Sequence, residues 1–151
     1  MLHPLLGVLV VEKRSAQGAL AFEGRKIPLT IEFDDRTVEQ ALSFAATIAS
    51  TLAAYDQISK DTLERDLRHS YNSGWNEYDQ AQEDCSFKSV VHPALNPAEF
   101  KARFALNGVD TTGDSCVSLW YECGNLFWGH GVFVESLDGP DFTNAKAQLF
   151  G

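Results

Sequence analysis

Ile27-Pro28-Leu29-Thr30-Ile31-Glu32-Phe33 is followed by Asp34-Asp35-Arg36 and then by Thr37-Val38-Glu39-Gln40. In the first stretch Ile27, Leu29, Ile31 and Phe33 alternate with Pro28, Thr30 and Glu32. Period two puts the apolar set on one face of a half-buried strand. Thr37 with Gln40 three residues on is a capping box, in which each side chain satisfies a free backbone N–H at a helix start. From there Val38, Ala41, Leu42, Ala45, Ile48, Ala49 and Leu52 recur at helical spacing. A strand hands over to an amphipathic helix, which predicts a chain that mixes sheet and helix in one core. The helix is rich in alanine, so it can pack closely on a sheet, and it is expected to run to residue 55.

Upstream, residues 5–12 form a β-branched run and residues 19–23 a second strand. With the turn at Gly24-Arg25-Lys26 they complete a three-stranded meander. Pro28 has no N–H to give a ladder, which predicts that its strand lies at an edge or starts near it. Downstream, a second helix is expected from Ser59 to Tyr71-Asn72-Ser73-Gly74, with Gly74 as a left-handed cap. Residues 75–86 carry acids without periodicity and read as a loop, and 87–92 as a short strand. Asn96-Pro97-Ala98-Glu99 is a second capping box with proline at the first helical position. Its helix is expected over 97–106, stopped by Asn107-Gly108. The last third reads as sheet: 115–123, a turn at Gly124-Asn125, then 126–137 with a bulge at Gly129-His130-Gly131. A turn at Asp138-Gly139 leads to a closing strand at 145–150. The expectation is one α+β domain over residues 1–151, a mainly antiparallel sheet packed against two to three helices.

A chain of 151 residues is near the commonest size of one domain and can hold a core without metals or disulfides. Its formal net charge is −9, from 21 acidic and 12 basic residues. Such a surface repels phosphate backbones and anionic membranes and attracts a basic protein partner. Cys85, Cys116 and Cys123 fit no zinc spacing, and an odd separation puts Cys116 and Cys123 on opposite faces of one strand. Three free thiols and a start without a basic n-region predict a cytoplasmic protein.

No cluster reaches the standard of a catalytic or metal site, and no cofactor is expected. The histidines His3, His69, His92 and His130 are scattered, and the acidic stretch 77–84 lacks the order of a calcium loop. His130, between two glycines and close to Trp128, reads first as a structural imidazole that satisfies a backbone group at a bulge. Its rival reading is a ligand-binding or enzymatic site with Trp128 and Trp75. Trp75, Trp120 and Trp128 are the aromatic candidates for a binding surface, since aromatics are enriched at interfaces.

The stretch Leu119-Trp120-Tyr121-Glu122-Cys123-Gly124-Asn125-Leu126-Phe127-Trp128-Gly129-His130-Gly131-Val132-Phe133-Val134 resembles the signature of a bacterial family known as domain of unknown function 2262. The resemblance extends to Phe22-Glu23-Gly24, to Ile27-x-Leu29, to Tyr71-Asn72-x-x-Trp75, and to the closing Ala147-Gln148-Leu149-Phe150-Gly151. It implies an α+β fold and a bacterial source, and no activity. By analogy with small acidic domains found beside polymorphic toxins, it also suggests an immunity-type role. The function expected is therefore a non-catalytic protein-binding module of toxin-neutralising type, with a basic protein as partner. Homo-oligomerisation through the Pro28 strand or through Val8–Val11 is a further expectation.

Overall fold

The computed structural model describes all residues, 1–151. Three short strands open the chain: β1 (Leu2–His3), β2 (Gly7–Val8) and β3 (Val10–Val11). They are followed by β4 (Ser15–Phe22) and β5 (Arg25–Glu32). Helices α1 (Val38–Ser50) and α2 (Leu52–Ser70) come next, and a π-helical turn, Tyr71–Trp75, extends α2. The hairpin β6 (Glu77–Ala81) and β7 (Phe87–Val91) precedes α3 (Pro97–Lys101). The chain closes with β8 (Ala105–Thr112), β9 (Cys116–Glu122), β10 (Gly131–Ser136) and β11 (Lys146–Phe150).

Seven strands form one sheet in the order β11-β10-β9-β8-β5-β4-β3. All its pairs are antiparallel except β5 with β8, which run parallel from Leu29↔Val109 to Glu32↔Thr112. The architecture is α+β with a mixed sheet, and the antiparallel expectation is corrected at that one seam. Register explains the core. Gly18, Leu29, Val109, Leu119, Val134 and Ala147 line up as one row across six strands. That row and its like-facing neighbours meet the helix layer, where α1 buries Ala41, Leu42, Phe44, Ala45, Ala46 and Ile48. The alanines leave room for the larger side chains of the sheet, as close packing requires.

Both capping boxes form as read. Thr37 Oγ1 accepts from Gln40 N and Gln40 Oε1 from Thr37 N; Asn96 and Glu99 reciprocate in the same way. Other expectations are overturned. The long apolar run at 5–12 holds two short strands, β2 and β3, with only Leu6 and Leu9 buried. The two helices meet at one residue, Thr51 (φ −127°, ψ 31°), rather than across a loop. There the hydroxyls of Ser50 and Thr51 both donate to the Thr47 carbonyl, an alternative to the helical ladder. Gly74 has φ 179°, which is extended and not a left-handed cap. Residues 105–112 are a strand, and Asn107-Gly108 marks a register shift in it instead of a helix stop. Pro28 lies in an interior strand; the parallel ladder to β8 registers only from Leu29, so the missing N–H is tolerated there. The Pro28 strand is therefore not free to pair across a two-fold axis, and the exposed edge on that side is β3.

Asp66 fastens α2 to the opposite edge. Its carboxylate accepts from Arg65 Nε at 2.7 Å and from the Ala147 amide at 3.0 Å, while Arg65 also donates to the Ala145 carbonyl. The Arg65 hydrogen bond, then the Ala147 amide, holds the carboxyl below its ordinary range. A depressed folded-state pKa gives stability that is present above the unfolded value, about 3.9, and lost as pH falls through the folded one. The melting temperature of wild type should exceed that of Asp66→Asn at neutral pH, and the gap should close in melts taken progressively below about pH 4.

Candidate functional site

A cleft of about 820 Å³ opens between the end of α2, the root of the β6–β7 hairpin, the segment after α3 and the β9–β10 connection. Its walls include Tyr71, Trp75, Tyr78, Leu126 and Trp128. Two asparagines build it. Asn72 donates to the Leu95 carbonyl at 3.0 Å and accepts from the Leu95 amide at 2.9 Å, pairing with that residue as a strand would. Asn76 donates from Nδ2 to the His92 carbonyl at 2.9 Å, and its backbone carbonyl accepts from the His92 amide at 2.8 Å. Together they fix where the chain leaves and re-enters the hairpin. These contacts give the Tyr71-Asn72-x-x-Trp75 element its physical content: Tyr71 is buried in the core, Asn72 ties the far wall, and Trp75 forms the near one.

The other side is set by Phe127-Trp128-Gly129-His130. The His130 amide donates to the Phe127 carbonyl at 3.0 Å, and the two central residues have φ of 53° and 85°. Positive φ at both positions is the signature of a type I′ turn, which favours Asn-Gly or Gly-Gly. Tryptophan in the left-handed region costs about 1–2 kcal/mol. Its side chain is also 52% exposed. It stands against Trp75 with ring centroids 4.7 Å apart, and its indole N–H donates to the Trp75 carbonyl at 3.1 Å. Beneath the turn, Phe127 is fully buried and meets the rings of Trp75, Tyr71 and Phe100 edge-on.

The four sequence candidates separate. Trp75 and Trp128 line the cleft. His130 is half-buried beside Trp75 and outside the lining, with its Nδ1 2.8 Å from the Phe127 carbonyl. It lies in the connection before β10 and not at a bulge in a long strand, since residues 124–129 are turn and β10 begins at Gly131. Trp120 is on the opposite face of the sheet, stacked on Phe133 at 4.5 Å and donating to Asp110 Oδ2 at 2.8 Å. The stretch 75–86, read as a loop, supplies Tyr78 and β6. Its period was illegible because both faces of β6 are exposed. Arg103, Asn72, Asn76 and the hairpin carry no motif that marks them as site elements; the only signal in the sequence is the pair of turn-forming asparagines at 72 and 76.

The cleft thiol is Cys123, and burial pushes its pKa up. Cys116, on the other sheet face, is raised by burial and then by the charge of Glu135. No three His, Cys, Asp or Glu side chains come together as metal ligands. No helix is long and apolar enough to cross a membrane.

Fold and site thus define an α+β protein that carries an aromatic cleft on the crossover of a mixed sheet. The chain belongs to the family described as "Uncharacterized protein conserved in bacteria (DUF2262)", whose model matches residues 3–146. No curated protein and no solved structure matches it.

Proposed function

We propose that the protein is a non-catalytic binding module and that it binds in the cleft beneath Trp128. The observation that carries this reading is a half-exposed tryptophan held at φ 53° in a turn that favours asparagine or glycine. Residues held in strained backbone conformations cluster at ligand sites, and of the four non-glycine residues with positive φ in this chain, Trp128 is the one that lines the cleft. Chemistry is poorly served here, because burial keeps the Cys123 thiol protonated and weakly nucleophilic. His130, bonded to a backbone carbonyl, has no acid or thiol hydrogen-bonded to its ring.

Trp128→Asn tests the reading. Asparagine suits the turn, so relief of strain offsets the lost Trp75 contact, and the melting temperature should move by no more than about 3 °C. Amide and indole shifts in a small-molecule screen by NMR should cluster on Trp75, Tyr78 and Leu126 in wild type and vanish in the variant. A large drop in stability, or shifts that map elsewhere, would show Trp128 to be structural.

A second reading is a protein partner of basic character, of the toxin-neutralising kind. Its support is the −9 charge and the sheet face away from the helices. There Trp120, Phe133 and the exposed Phe150 lie close to Asp110 and Glu135. An acidic, aromatic face can cover a basic active site.

A further inference from the structure

The cleft differs in charge from the molecule around it. None of its twelve lining residues is Asp or Glu, in a chain with 21 of them. Its permanent cation is Arg103, which is exposed. Of the other arginines, Arg25, Arg36, Arg65 and Arg68 are each engaged, with the Leu106 carbonyl, Asp114, Asp66 and Glu64, while the exposed Arg14, outside the cleft lining, has no side-chain partner. The Arg103 guanidinium has no such partner and leaves its fork of donors to whatever enters. The imidazole of His92 lines the same space, 5.8 Å from the Tyr78 ring. Opposite charge at a site on an acidic protein is a selective feature, because the overall field repels anions that the cleft itself does not hold.

Resting on the binding reading above, we propose that the cleft takes a small aromatic anion. Its ring lies along the Trp75–Trp128 wall and its carboxylate, sulfonate or phosphate meets Arg103. The volume of about 820 Å³ suits a molecule of that size. Guanidinium supplies a planar, bidentate fork for an oxyanion, and aromatic walls supply sequence-independent stacking.

The test uses the folded full chain and two fluorescent probes of the same body, 8-anilinonaphthalene-1-sulfonate and its uncharged parent N-phenyl-1-naphthylamine. The anion should bind one per chain and more tightly than the parent. Arg103→Gln should weaken the anion by about tenfold, the scale of one charge-assisted hydrogen bond, and leave the parent unchanged. Lys13→Gln, which makes the same change in net charge away from the cleft, should leave both unchanged. Trp128→Asn should weaken both. Arg103→Gln without effect on the anion, or equal weakening of both probes, overturns anion recognition even if Trp128→Asn still weakens both and the cleft reading stands. Failure of the anion to bind native protein while the parent binds likewise overturns anion recognition, whereas binding of both probes unaffected by Trp128→Asn, or failure of both to bind, overturns the cleft reading itself.

Discussion

Phe127→Ala is expected to lower the free energy of unfolding by about 3–5 kcal/mol, the usual cost of emptying a buried phenylalanine site. Phe127 has no exposure. Its ring is 5.5 Å from that of Trp75, 6.1 Å from Tyr71 and 6.5 Å from Phe100, so it joins the π-helical turn, α3 and the sheet. Those neighbours are large and held by their own contacts, so they cannot collapse fully into the vacancy. The same residue carries the carbonyl that receives the His130 amide and imidazole, so loss of its ring loosens the turn that displays Trp128. Urea unfolding should show a lower midpoint with an unchanged slope, and probe binding in the cleft should fall with it. A loss below about 1 kcal/mol would mean that the cluster repacks and that the turn is held by other means.

Tyr121→Phe is expected to cost about 1.5–3 kcal/mol, because it withdraws a donor from a buried carboxylate. Asp56 on α2 is 1% exposed and accepts from the Tyr121 hydroxyl at 2.8 Å. Lys60, one turn on, reaches the other carboxylate oxygen at 3.2 Å from a position that water can approach. Burial first, then the Asp56 charge, pushes the Tyr121 phenol far up, so it remains a donor wherever the protein is folded. Removing donor and acceptor together should be milder than the separate losses suggest. Tyr121→Phe with Asp56→Leu leaves no orphaned charge on the sheet side, and Lys60 can turn to solvent. A double-mutant cycle by urea denaturation measures that coupling. Additive losses would show that the pair contributes little beyond its packing.

The parts of the fold legible in the sequence are those where one local rule acts alone. Alternation at Ile27–Phe33 and the two capping boxes are of this kind, and they needed no knowledge of neighbours. Strand β8 was hidden because Asn107-Gly108 signals a turn by composition; in place, the pair marks a register shift inside the strand, and a Cβ at Gly108 would make only ordinary contacts with Pro28 and Trp120 at 3.6 Å. Similarly, Leu126–Trp128 reads as strand by apolar content, whereas Trp128 sits in a turn at positive φ with its indole against Trp75, a contact the local sequence does not show. Of the candidate site, Trp75 and Trp128 were visible as aromatics near glycine. Their meeting across 53 residues, and the role of Arg103 opposite a carboxylate-free lining, depend on the crossover and have no local trace.

The single parallel seam between β5 and β8 divides the sheet into two meanders whose own contacts are short-range. Everything that builds the cleft, apart from the β9–β10 turn, is carried on the excursion between them. Doubling such an excursion costs only about 0.6 kcal/mol in closure entropy. The hairpin can therefore grow, shrink or change its exposed side chains while the two meanders still find each other. In this topology the outer wall of the cleft can be re-equipped for new ligands by editing the exposed hairpin alone, while α1 and α2 keep the core closed over the sheet, and contact order, not stability, bears most of the change.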